Sequence, residues 1–175
     1  MTKSEITSLL TEKHRQFLDS FSGLSEAAFT ISRNSKWAPA QELDHIIRSV
    51  SPVVMAFGLP GFVLKWKFGK ANRPSKTFEG LVEKYHTKLA AGGRASGQFI
   101  PEGIPFRERE AAIKKLNALV EKLNHRINTK TEETLDTLIL PHPLLGKLTF
   151  REMLYFTAYH AEHHRENTLK NLKGV

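Results

Sequence analysis

Four stretches of this chain repeat their apolar residues every three and four positions, and no stretch between turn residues shows the alternation of a half-buried strand. A chain patterned in this way has stripes to bury and no sheet to bury them against, so it must pack helix on helix. The first stretch runs from about Lys3 to Phe21, with Ile6, Leu9, Leu10, Phe17 and Leu18 on one side and Gly23 ending it. The second begins near Pro39, in the first-turn position proline tolerates, and carries Leu43, Ile46, Ile47, Val50, Val53, Val54 and Phe57. Pro52 lies inside it and predicts a kink or a loosened last turn. The third runs from about Phe106 to Ile127. The fourth starts at a Thr149 N-cap, completed by Glu152 as a capping box, and continues to about Leu172.

The segments are unevenly spaced. Between the second and third lies a glycine- and proline-rich excursion from Gly58 to Pro105, with a short helical piece around Phe78 to Ala91. It is too long for a plain bundle loop. Trp66 and Phe68 within it read as anchors that hold the excursion to the bundle. Pro141-His142-Pro143 imposes an extended approach to the last helix. The expected fold is all-α: one domain over residues 1–175, a four-helix bundle with a long connection between its second and third helices.

The chain has 175 residues and no cysteine, so thiolate metal sites, cysteine nucleophiles and disulfides are excluded. Any metal must sit on nitrogen and oxygen. Charges near Met1 stand where a signal peptide needs an apolar run. The longest uncharged run, Ser49 to Leu64, is broken by prolines and glycines and falls short of the ~20 apolar residues of a membrane span. The expectation is a soluble, cytoplasmic protein with no membrane partner. A net charge of +8 raises nucleic acid or an acidic small molecule as partner. Apart from Lys65, Lys67, Lys70 and Arg73 the cations are scattered, which argues for a solvated surface rather than a nucleic-acid stripe.

The chemistry is concentrated in the last helix, where Tyr159-His160-Ala161-Glu162-His163-His164-Arg165-Glu166-Asn167 holds three histidines within five positions. His160 and His164, four apart, fall on the apolar stripe, and His163 falls on its polar flank. A lone inward histidine is usually satisfied by a hydroxyl or a carbonyl. Two inward imidazoles a turn apart must both shed water and both find partners, and a shared metal meets both needs. A helical pair seldom completes a site. Candidates for a third ligand are His14, His45, His86, His125 and His142. His45 sits on the edge of its helix's apolar face, on a row with Ala38, Glu42, Ser49 and Ala56. Spacing alone does not choose among them.

Trp37-Ala38-Pro39-Ala40-Gln41-Glu42-Leu43-Asp44-His45-Ile46, His142-Pro143-Leu144-Leu145-Gly146-Lys147-Leu148-Thr149 and the terminal histidine helix, in this order, resemble the DinB-like (DinB/YfiT-like) metalloenzymes over nearly the whole chain. The resemblance implies a four-helix bundle holding a divalent metal on His45, His160 and His164. It also implies a small-molecule substrate, with thiol-dependent transferase or hydrolase chemistry and a low-molecular-weight thiol as a second cofactor. Homodimers are common in the family. One departure is visible: Asn167 stands where many members carry glutamine. All-nitrogen ligation suits zinc, nickel or iron. Glu42, one turn from His45, is the candidate general base. The rival expectations are a basic nucleic-acid-binding module and a bundle whose metal is purely structural.

Overall fold

The computed structural model describes residues 1–33 and 36–174. Helix α1 (Lys3–Asp19) starts at Thr2, whose hydroxyl accepts from the Glu5 N–H while the Glu5 carboxylate accepts from the Thr2 N–H. It ends two residues short of Phe21, and a following turn carries Phe21 into the core before Gly23, at φ 70°. A short α2 (Glu26–Thr30) follows, then α3 (Pro39–Phe57), α4 (Gly61–Phe68), α5 (Phe78–Ala90), α6 (Arg109–Asn128) and α7 (Glu132–Thr137). The chain closes with strands β1 (Ile139–His142) and β2 (Gly146–Thr149) and the long α8 (Phe150–Lys173), capped by the expected Thr149–Glu152 box.

Helices α1, α3, α6 and α8 form the four-helix bundle. α1 packs on α6 and α8, and α3 packs on the same two, so the first two long helices lie across a diagonal. That arrangement makes α3 and α8 neighbours. Phe17, Phe21, Phe29, Phe57 and Phe150 are fully buried at the centre, with Phe57 and Phe150 stacked at 4.0 Å.

The structure refines several expectations and corrects that of Trp66. α3 continues through Pro52 to Phe57, and the chain turns sharply at Gly58-Leu59-Pro60, where α3 and α4 meet at 112°. The approach to α8 is a two-stranded antiparallel hairpin, with Ile139 opposite Thr149 and His142 opposite Gly146. Strands of four residues that include Pro141 are too short to show alternation, and a two-stranded ribbon has the open edges on which proline is tolerated. Helices α2, α4 and α7 are likewise too short to show a period. Trp66 anchors nothing: it is 87 % exposed, and only Phe68 packs on the core. Among the described residues no single helix is long and apolar enough to cross a membrane.

The excursion is tied down at both ends by buried or half-buried polar groups. Near its start, fully buried Glu152 accepts from Arg73 at 2.6 and 2.9 Å and from the N–H groups of Lys76 and Thr149 at 2.8 and 2.9 Å. Near its end, the Asp44 carboxylate accepts from the N–H groups of Glu102 and Gly103, while Arg48 bridges Asp44 and Glu102.

His14 is a polar misfit in the core. It donates through Nδ1 to the Leu10 carbonyl at 2.8 Å, but its buried Nε2 finds no partner among the described residues. Burial lowers its pKa from 6.5 to about 4. Between those values the unfolded chain takes up a proton that the native state refuses, so His14 destabilises the fold as pH drops below 6.5. His14→Leu is expected to raise stability by about 1 kcal/mol at pH 7. It should also flatten the decline between pH 6.5 and 4, read from urea midpoints at successive pH values.

Candidate metal centre

The Thr149 cap starts α8 so that its apolar stripe faces α1 and α3, and that phase turns His160 and His164 inward. From α3, the row Ala38, Glu42, His45, Ser49 and Ala56 faces the same space rather than solvent: the first three are buried and the last two half-buried. The result is a cluster of three buried imidazoles whose ligand atoms all lie within 4.8 Å of one another. His160 Nε2 is 3.2 Å from His45 Nε2 and 2.9 Å from His164 Nε2.

Protons decide what such a cluster can be. His45 donates from Nδ1 to the Phe99 carbonyl at 2.6 Å, which leaves Nε2 as a bare lone pair. His164 Nδ1 is hydrogen-bonded to the Glu42 carboxylate, so its Nε2 also points a lone pair inward when the carboxylate accepts. A proton on His160 Nε2 can serve one neighbour and not both. At least one nitrogen–nitrogen contact is therefore lone pair against lone pair. Burial, and after it the neighbouring imidazoles, holds His160 and His164 well below the usual histidine range, and burial lowers His45 as well. Adding protons is therefore an expensive remedy. A cation at the common point satisfies all three nitrogens. Two nitrogens each about 2.0–2.1 Å from one zinc-like ion lie roughly 3 Å apart, which matches the spacing here. The donor set fits a divalent metal.

The surroundings hold the rings in place. Trp37 lies 4.9 Å from the His45 ring and stacks on His164 at 5.9 Å, and Phe156 stacks on His160 at 4.6 Å. Glu42 is 2 % exposed, and burial raises its pKa to about 8 without a cation nearby. Its visible engagement is with His164, so it is neither solvent-exposed nor detached from the cluster.

The other histidines stay outside. His14 lies on α1, His86 is exposed and bonded to the Tyr159 hydroxyl, and His125 is exposed on α6. His142 Nδ1 accepts from the N–H groups of Leu144 and Leu145 and shapes the hairpin turn. His163 is half-buried beside the cluster, and Asn167, at the family's glutamine position, lies 3.3 Å from its Nε2 rather than on a cluster ring. Two contributors carried no role in the sequence reading: the Phe99 carbonyl and the Trp37 ring. Trp37 stands in the motif that precedes α3, whereas a main-chain oxygen has no sequence signal.

The DinB superfamily profile matches residues 9–167. The chain belongs to the DinB superfamily. Among solved structures, YfiT from Bacillus subtilis is similar, at 15 % identity and a TM-score of 0.65, over 99 % of this chain and 89 % of that one. YfiT is described as a probable metal-dependent hydrolase with an unusual four-helix bundle topology. At that identity the likeness establishes the shared fold. No curated protein sequence matches significantly.

The cluster opens into a cleft of ≈ 1180 Å³ between α3, α4, α5, α8, the hairpin and residues 93–100. Tyr85 and His163 flank its histidine end. Burial raises the Tyr85 pKa, so this hydroxyl remains protonated at neutral pH.

Proposed function

We propose that this DinB-superfamily chain is a divalent-metal-dependent enzyme acting on a small molecule, of the hydrolase or thiol-dependent transferase type, with His45, His160 and His164 as the ligands. The observation that carries the reading is the convergence of three Nε2 atoms, two of them with their Nδ1 atoms engaged by Phe99 and Glu42. A divalent cation on three neutral imidazoles supplies an electrophile with open positions, at which water or a thiol becomes nucleophilic at neutral pH. Zinc, nickel and iron all suit these donors. The adjoining cleft favours a reaction centre over a purely structural metal, because a structural site has no use for an open approach.

In this reading Glu42 is a positioning residue rather than the base. It orients His164 and, once ionised, strengthens it as a donor. The nucleic-acid alternative rests on Lys65, Lys67 and Lys70, since Arg73 is committed to Glu152.

The test is elemental analysis of untagged protein, together with hydrolysis and thiol-conjugation assays before and after chelation. Metal at one equivalent and activity that returns with added metal are expected. Protein that never holds metal would end the proposal. Glu42→Gln separates the two roles of that residue. Positioning predicts metal affinity about 10–100-fold weaker. A general base predicts unchanged affinity with lost turnover.

A further inference from the structure

The cleft is chemically lopsided. Val50, Val53, Leu89, Leu140, Leu144 and Met153 belong to its wall, and among all its lining residues the single carboxylate is Glu42, which is engaged by His164. A small, highly polar ligand needs hydrogen-bond partners along its length. Polar side chains such as Ser49, Gln98, Thr157 and Asn167 interrupt a lining that is otherwise mainly apolar. The volume also exceeds the roughly 300–1,000 Å³ of ordinary small-molecule pockets. Apolar surface continues to the mouth, where the lining residues Met55 and Leu59 are 65 % and 43 % exposed.

Exposed cations accompany this apolar surface. Lys67 and Arg94 line the cleft, both are exposed, and neither has a carboxylate within ion-pair distance among the described residues. Lys67 sits over the Phe68 ring at 5.4 Å, and Arg94 donates to the Gly93 carbonyl at 2.8 Å. These contacts leave both charges unneutralised. Charged groups that border an apolar channel recognise a ligand that is itself divided.

We propose that the cleft takes an amphiphilic anion, a long-chain acid whose apolar body lies along the Val53–Leu144–Met153 wall and whose acidic group is drawn to the exposed cations of the lining, Lys67 or Arg94. The class deepens the metal-centre reading, on which it rests for the role of the bound molecule as substrate. It assigns the apolar channel to the chain of this acid and leaves a thiol, where one takes part, to the histidine end.

Binding can be tested without turnover. A dansyl-labelled undecanoate is titrated into the full chain, as purified and again after chelation, and is then displaced by dodecanoate, dodecanol or glutathione. Saturable, blue-shifted emission is expected, with displacement by dodecanoate about tenfold more effective than by dodecanol, since a charge-assisted contact is worth roughly one decade. Glutathione should displace nothing. Lys67→Ala combined with Arg94→Ala should weaken dodecanoate about tenfold and leave dodecanol unchanged. Leu144→Trp, which fills the channel, should weaken both. Dodecanol matching dodecanoate, or glutathione displacing the probe, would overturn the proposal, as would the absence of a saturable signal. Binding of dodecanoate that survives chelation supports this proposal and leaves the metal reading untouched, whereas protein that holds no metal as purified yet binds dodecanoate supports this proposal and ends the metal reading alone. Metal-loaded protein that ignores dodecanoate defeats this proposal alone.

Discussion

His160→Ala is expected to abolish metal retention and reduce turnover to background. His160 Nε2 is the shared neighbour of the other two, 3.2 Å from His45 and 2.9 Å from His164. Its loss leaves two nitrogens, fewer than the three protein ligands that zinc-like catalytic sites require. The substitution also opens space in the core, so stability alone is an ambiguous readout. The chelator response is the discriminating one. In wild type, a metal present at about 100 times its Kd adds roughly 2.7 kcal/mol of stability, which chelation removes. For a chain of this size that is a drop in Tm of about 5–11 °C. The variant should melt at one temperature with or without chelator, whatever its absolute value. One equivalent of metal in purified His160→Ala would show that the cluster is not the binding site.

Arg73→Ala should be strongly damaging although it lies away from the cluster. Glu152 is fully buried and takes two hydrogen bonds from Arg73, so removing the guanidinium leaves a carboxylate with only the Lys76 and Thr149 N–H groups. Breaking a buried pair costs about 3–5 kcal/mol. The two surviving donors, and the partial exposure of Arg73 itself, place this case near 3 kcal/mol. The effect has a pH signature. Burial pushes the Glu152 pKa up, but the bonds from Arg73 and the two N–H groups together hold it below the usual 4.5. Its contribution is therefore complete above pH 4.5 and is lost as pH falls through the lower native value. In the variant burial dominates and the native pKa rises. The gap between the two proteins, measured by urea unfolding, should be widest near neutrality and should narrow below pH 4.5. A gap constant from pH 7 to 3 would mean that the ion pair is not its cause.

What could be read in the sequence, and what could not, follows the range over which each interaction acts. The ends of α3 and α8 were readable because Pro39 and the Thr149–Glu152 box are local signals. The inward pair His160 and His164 was readable because one helix sets both directions. His45 was not, since the edge of an apolar face turns inward or outward according to what packs beside it. Resemblance to the DinB-like proteins selected it, and the packing of α3 on α8 supplies the reason. Glu42 was noticed near His45, but its partner lies 122 residues away, so its engagement with His164 had no local trace. The hairpin and α4 were missed because neither is long enough to show a period.

The distances along the chain between the cluster's partners carry a consequence for how the protein is made. His160 and His164 are four residues apart, but the bond to Phe99 spans 54 residues from His45, and the His45–His160 contact spans 115. An isolated last helix thus owns two nitrogens and no third, and a nascent chain lacks the full set until synthesis has passed position 164. Closing such large loops is slow and comes after local helix formation. With these three histidines as the ligands, tight capture of an ion is expected to be a late event in assembly. The rate at which a refolding chain takes up metal reports completion of the whole bundle, not the appearance of helix.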